Sequence, residues 1–183
     1  MSGGVRGLLV GRFQPFHAGH LAVVRAIRAA RPGDELILGV GSAQESHTWK
    51  NPFTAGERLE MIHRALAEGS ISGVIAIPIP DIHRHALWVR YVESLLPPFE
   101  RIYTNNPLTR LLFEAARYPV EAPAEVDRAR FEGESIRRRI ADGDPWHDRV
   151  PPSVARYLEE LHASDRLRLL RAGDGGPSGS RTG

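Results

Sequence analysis

Residues 11–20 read Gly11-Arg12-Phe13-Gln14-Pro15-Phe16-His17-Ala18-Gly19-His20 (GRFQPFHAGH), directly after the apolar run GLLV at 7–10 and before an amphipathic stretch that reaches Ala30. A short apolar run, a glycine-bearing turn and then helical periodicity describe a buried strand that leads through a loop into a helix. In open α/β sheets such a loop lies at the carboxyl edge of its strand, where ligands bind. The helix start adds unpaired backbone N–H groups and the positive end of the peptide dipole, both suited to phosphate oxygens. His17 and His20 are three residues apart, so their imidazoles can point the same way at that start. Gly19 between them leaves room for close backbone approach. Imidazole donors suit a phosphoryl group whose negative charge spreads over its oxygens and then collects on a leaving group, and no nucleophilic side chain is required. In an arbitrary sequence two histidines at this spacing are more often ordinary surface residues. The strand, glycines and helix around this pair are what favour a phosphate site.

The alternation of apolar runs and amphipathic stretches continues outward from this segment to about residue 142, the signature of an α/β fold with a parallel sheet flanked by helices. Strands are expected at 7–10, 35–40, 74–77 and 101–103, with a weaker one at 119–122. Their apolar residues run continuously, as in strands buried on both faces. Helices are expected at 20–30, 55–68, 87–96 and 108–116, the third presenting Trp88, Tyr91, Val92 and Leu95 on one face. The last third predicts a small helical subregion: a short basic helix at 134–141, another at 151–161 that proline can start, and a final turn at 165–170. One domain over 1–172 is expected. The terminal GDGGPSGSRTG at 173–183 has nothing to pack and reads as a mobile tail.

Composition bounds the function. The 183 residues, 42% hydrophobic and 25% charged, suit a soluble globular chain. No stretch approaches the roughly 20 apolar residues of a membrane span. The opening MSGGVRGLLV is too short in apolar residues for a signal peptide, so a cytoplasmic location without membrane partners is expected. Cysteine is absent, which excludes disulfides, thiolate metal sites and a cysteine nucleophile. A formal charge of only +2 does not indicate a nucleic-acid binder. Lys50 is the only lysine, and its place is either a coding bias or a functional choice.

The segment GRFQPFHAGH matches the H-x-G-H signature of the nucleotidylyltransferase superfamily, and its fuller wording resembles the archaeal-type nicotinamide mononucleotide adenylyltransferases. GSAQESHTWKNPFTAGER at 41–58, PIPDIHRHALWVRYVESLLPPF at 78–99, NPLTRLLF at 106–113 and IRRRIADGDPW at 136–146 resemble that family in the same order. Together these segments cover most of residues 5–160. The resemblance implies a Rossmann-like mononucleotide-binding fold in which the 5′-phosphate of nicotinamide mononucleotide (NMN) attacks the α-phosphorus of ATP directly. NAD and pyrophosphate would form with the help of Mg2+ that arrives with ATP, and no protein-only metal site is expected. It also implies that His17 and His20 hold the ATP phosphates, that Arg12 lies beside them and that Gly11 and residues 13–16 shape the loop; Gly11, Phe13, Gln14, Gly19, Lys50, Asn106, Arg110 and Ser135 are expected to bind ATP, and Ser42, Gln44, Asp81, His85 and Trp88 to bind NMN. Similar proteins assemble as homohexamers or smaller homo-oligomers.

Four further constellations stand at the carboxyl edges of the later strands. Gly41, Ser42 and Gln44 follow the second strand, and Ser46, His47 and Thr48 either close a pocket or form a solvated loop. Lys50 falls where relatives can carry a phosphate-binding arginine, keeping the charge without the bidentate fork. Thr54 with Glu57 reads as a capping box, and Arg58 as a salt-bridge partner or a site residue. Asp81 and Trp88 resemble the family's nicotinamide end, where a ring stacks on the base, although Trp88 is also in phase with an apolar helix face. His85 stands where relatives often have asparagine. Asn105, Asn106 and Arg110 suit ribose or phosphate, while asparagine before proline equally makes a turn.

The last constellation departs from the family. Glu132, Gly133, Glu134, Ser135, Ile136 and Arg137 stand where the family pattern is close to S-G-T-x-x-R. A carboxylate close to a phosphate repels it unless protonated or bridged by a cation. The reading preferred here turns both glutamates to solvent or to an arginine, with Ser135 supplying the hydroxyl and Arg137 the phosphate contact. The triple arginine 137–139 is in part a solvated helix face. Two alternatives stay open: adenylyl transfer to another phosphate acceptor, such as flavin mononucleotide or phosphopantetheine, and a nucleotide-binding regulatory protein whose chemistry has decayed.

Overall fold

The computed structural model describes residues 4–123 and 130–174. Its strands are β1 (Arg6–Gly11), β2 (Glu35–Gly41), β3 (Val74–Ile79), β4 (Arg101–Tyr103) and β5 (Val120–Glu121). All pair in parallel, in the order β3-β2-β1-β4-β5, with Leu8 opposite Ile37 on one side and Ile102 on the other. The chain thus moves outward from β1 to β3 and then returns to place β4 on the far side of β1. That reversal makes the β1–β4 junction a topological switch point, where two loops diverge and leave a crevice at the carboxyl edge.

Each strand between helices feeds two cores, because successive side chains point to opposite faces. Leu9, Leu36, Leu38 and Val40 pack with α1 (Ala18–Ala30), α2 (Ala55–Glu68) and the C-terminal helices. Leu8, Ile37, Ile79 and Ile102 pack with α3 (His85–Leu95) and α4 (Pro107–Ala115). Burying one such aliphatic side chain stabilises the fold by about 2 kcal/mol before entropy is counted. The expected continuous burial holds for β2, but β3 is an edge strand in which only Ile79 is buried and Ile75 is 42% exposed. The face of α3 also differs from expectation. Val89, Val92 and Leu96 carry its packing, Trp88 and Tyr91 lie at the margin, and Leu95 is exposed. Helical phase alone allows either stripe, and the position of the sheet chooses between them.

The caps follow local chemistry. Thr54 and Glu57 form the expected capping box on α2. On α4 the Asn106 carboxamide accepts from Thr109 N–H with Pro107 in the first turn. In the C-terminal subregion α5 (Gly133–Asp142) ends at Gly143, whose φ of 79° few other residues tolerate. It is followed by a 3₁₀ turn (His147–Arg149), α6 (Pro152–Glu160) and α7 (Ala163–Asp174). The expected final turn is a full helix anchored by buried Leu167, and it takes in Gly173 and Asp174, the first two residues assigned to the tail. The remainder of the expected tail, 175–183, lies outside the described residues. No helix among the described residues is long and apolar enough to cross a membrane.

Candidate active site

The two histidines of the opening segment cap their own helix. His20 N–H donates to His17 Nδ1 (3.2 Å) and His17 N–H donates to His20 Nδ1 (3.3 Å), a capping box built from two imidazoles. Since each Nδ1 accepts, each ring is neutral with its proton on Nε2. The rings stack with centroids 3.4 Å apart and planes 16° apart, so both Nε2–H donors emerge side by side. Burial pulls the His17 imidazole down to about 3. His20, partly open to the cleft but packed against Phe13, Phe16 and His17, is also held well below the usual imidazole range, by burial and then by the repulsion it would meet from a protonated His17. A glycine is required at position 19, because a Cβ there would stand 2.8 Å from Phe131 Cβ.

Those donors face a cleft of about 510 Å3 lined by Arg12, Phe13, Gln14, His17, His20, Trp49, Lys50, Glu132, Gly133, Glu134 and Arg137. Arg137 is only 4% exposed. It donates from Nη1 to the Gln14 carbonyl (2.8 Å), while its buried Nε has no partner among the described residues. Burial and then the nearby Arg12 lower its guanidinium to about 10. Mutual repulsion of cations around an open cleft favours an arriving polyanion. Trp49 lies 5.8 Å from both the Arg137 and the Arg171 guanidinium carbons, carrying the 42–53 loop against α5 and α7. Glu132 and Glu134 are exposed at the cleft rim, and Glu134 pairs with Arg138 at 3.2 Å. Ser135, expected to supply a hydroxyl, is not among the residues lining this cleft.

A second cleft of about 360 Å3 adjoins at Arg12. Val10, Gly11, Gly41, Ser42, Asp81, His85, Trp88, Asn106 and Thr109 are among its walls. The Trp88 ring is fixed by an edge contact with Phe113, with centroids 5.5 Å apart. It therefore serves both packing and the cleft wall. His17, His20 and Gly19 also border a third hollow with Asn105, Phe131 and Glu132.

Several expected site residues are placed differently. The carboxamide of Gln14 exchanges two hydrogen bonds with the Phe53 backbone (2.9 and 3.0 Å), so that side chain locks the loop instead of reaching outward. Gln44 does the same with the Asp81 backbone (3.2 and 2.8 Å) and does not line the second cleft. Asn106 and Gly11 stand in the second cleft, away from the residues grouped for ATP. Arg110 lines neither cleft; it pairs with Glu114 at 3.0 Å and reaches the Val120 and Thr104 carbonyls. Trp49 and Phe131 lack a sequence signal for their cleft positions. Arg58 had one, because it shares helical phase with the core residues Met61, Ile62 and Ala65. No cluster of three or more metal-ligating side chains exists among the described residues.

The chain belongs to the cytidylyltransferase-like family, whose sequence pattern matches residues 8–139. Within it, the chain is 46% identical over 170 residues to a nicotinamide-nucleotide adenylyltransferase of Haloarcula marismortui, covering 93% of this chain and 89% of that protein. It is 46% identical over 168 residues to the Pyrococcus furiosus protein of the same name, covering 90% and 88% respectively. Among solved structures, a bifunctional NMN adenylyltransferase/ADP ribose pyrophosphatase from Francisella tularensis, complexed with AMP and a Mn ion, superposes with a TM-score of 0.73 at 20% identity. The match covers 93% of this chain and 53% of that longer one. That likeness supports the Rossmann-like reading of the fold.

Proposed function

We propose that this chain transfers the adenylyl group of ATP to NMN, giving NAD and pyrophosphate. The observation that carries the reading is the pair of neutral, stacked imidazoles whose Nε2–H donors open onto a cleft rimmed by Arg12, Lys50 and Arg137. The names of relatives at 46% identity over nearly the whole chain point the same way. ATP lies with its phosphates in the larger cleft, and NMN occupies the smaller one, its base near Trp88 and its phosphate toward Arg12. A phosphate oxygen of NMN attacks the α-phosphorus; the new O–P bond forms as the bond to the β-phosphate oxygen breaks, and pyrophosphate leaves. The imidazoles donate hydrogen bonds to the oxygens on which charge develops, without giving up a proton. Holding two reactants in line removes most of the entropic barrier.

Mg2+ is proposed to enter with ATP. The Francisella tularensis structure that shares this fold is complexed with AMP and a Mn ion, which fits a divalent ion carried by the nucleotide. It would supply neutralisation of the leaving pyrophosphate. Exposed Leu87 and Leu95 on α3 and Leu108 and Leu111 on α4 support assembly as a homo-oligomer, which sedimentation measures.

The test is pyrophosphate release from ATP and Mg2+ with NMN, its deamidated form, flavin mononucleotide and phosphopantetheine in parallel. Turnover with NMN supports the proposal; faster turnover with flavin mononucleotide or phosphopantetheine, or none with any acceptor, overturns it. The decayed-enzyme alternative rests on Glu132 and Glu134. Because both are exposed and Glu134 is paired, converting them to Ser and Thr should change kcat by less than about threefold, since exposed charges are strongly screened.

A further inference from the structure

Arg58 is the most deeply buried charged residue described, with no exposed surface, and among the described residues no carboxylate lies within ion-pair distance of it. Its guanidinium bonds to four backbone carbonyls: Nε to Thr54 (3.2 Å), Nη1 to Arg12 (2.9 Å) and Gly41 (2.8 Å), and Nη2 to Ser42 (3.1 Å). Those carbonyls belong to the loop after β1, the end of β2 and the cap of α2. Arg12 is the residue shared by the two clefts, and Gly41 and Ser42 wall the smaller one. Ser42 holds a φ of 48°, a conformation that costs a non-glycine residue free energy and persists only where neighbours enforce it. A buried cation is ordinarily paired with an anion, because carbonyl dipoles offset its lost hydration without neutralising it. Burial and then Arg12 lower the Arg58 guanidinium to about 10, so the charge persists at neutral pH and is felt at Arg12.

We propose that Arg58 is a positioning residue for the transfer step: it pins the carboxyl ends of β1 and β2 so that donor and acceptor phosphates meet at Arg12, and its unneutralised charge draws them there. The inference rests on the proposed adenylyl transfer. Lysine can keep the charge but cannot span four carbonyls with a planar fork. Misplacement of aligned reactants by about 1 Å can cost on the order of a hundredfold in rate.

The experiment compares the parent chain, Arg58→Lys and Arg58→Met for kcat, KM of each substrate and ATP affinity, well below each variant's melting temperature. Arg58→Lys should bind ATP within about threefold of the parent yet lose at least about thirtyfold in kcat, and Arg58→Met should lose ATP affinity as well. A folded Arg58→Lys with kcat within threefold of the parent overturns the proposal. So does a loss of kcat that only tracks the folded fraction. Should both variants fail to fold, the parent decides. Its Arg58 side-chain N–H signals, followed by nitrogen-15 NMR, should be protected from exchange and should shift when ATP and NMN bind; unmoved signals overturn the proposal. A parent that makes no pyrophosphate from ATP and NMN counts instead against the adenylyl-transfer reading.

Discussion

His17 and His20 do more than supply two donors; each fixes the other. Their spacing is legible in the sequence because three residues is the distance of a capping box. Their tautomer is not, since it depends on the reciprocal Nδ1 hydrogen bonds that form only in the folded chain. His20→Ala should lower kcat by about 10²–10³-fold, the cost of removing one donor to a charged transition state, with a smaller change in ATP affinity. A variant as fast as the parent removes the proposed role. Because both imidazoles are held neutral by burial, protonation of His17 or His20 should cause no loss of rate between pH 8 and about 6. Gln14 and Gln44 show the limit of reading residue types. Both sit in the right loops, but a carboxamide can mimic a peptide group, and here each is consumed by a backbone partner. Arg58 is the converse case, where a charge in phase with an apolar stripe was the available sign of a buried clasp.

At the scale of elements, strand and helix order was written in the alternation of apolar runs, and the caps of α2 and α4 in Thr54, Glu57, Asn106 and Pro107. What could not be read was which helix face meets which strand, because packing direction comes from the sheet; α3 and the edge position of β3 are the examples. Long-range bolts were also hidden. Arg166 on α7 grips Glu57 on α2 through two bonds (2.7 and 2.9 Å) and reaches toward the Pro52 carbonyl (3.4 Å). This ties the C-terminal subregion to the loop that carries Trp49 and Lys50. Replacing Arg166 with Ala should lower unfolding free energy by about 2 kcal/mol, the cost of removing charged hydrogen bonds that are partly buried. Chemical denaturation measures that loss, and an unchanged midpoint would show that the Arg166–Glu57 bridge contributes nothing to stability.

For the whole molecule, buried histidines and the Glu57 bridge make stability pH-dependent in the same direction. His17 titrates at about 3 when folded and near 6.5 when unfolded, so across that window the unfolded chain binds more protons and acid destabilises the fold. His20, also lowered, adds to this loss. Burial raises the Glu57 carboxyl, but its bonds from Arg166 and Thr54 prevail and hold it below the ordinary value. Its contribution is present above the unfolded carboxyl pKa and is lost as pH falls through the folded one. The denaturation midpoint should therefore fall steadily below about pH 6.5 and more steeply below about pH 4.5; a flat profile would contradict the buried neutral state of the histidines. The proposed reaction sets two phosphates in line at the β1–β4 crevice, with no side chain as nucleophile. The stereochemistry at phosphorus tests this most directly, using ATP made chiral at its α-phosphorus with sulfur, together with NMN. Inversion in the NAD analogue is the predicted result; retention, the mark of a covalent adenylyl-protein intermediate, would contradict it.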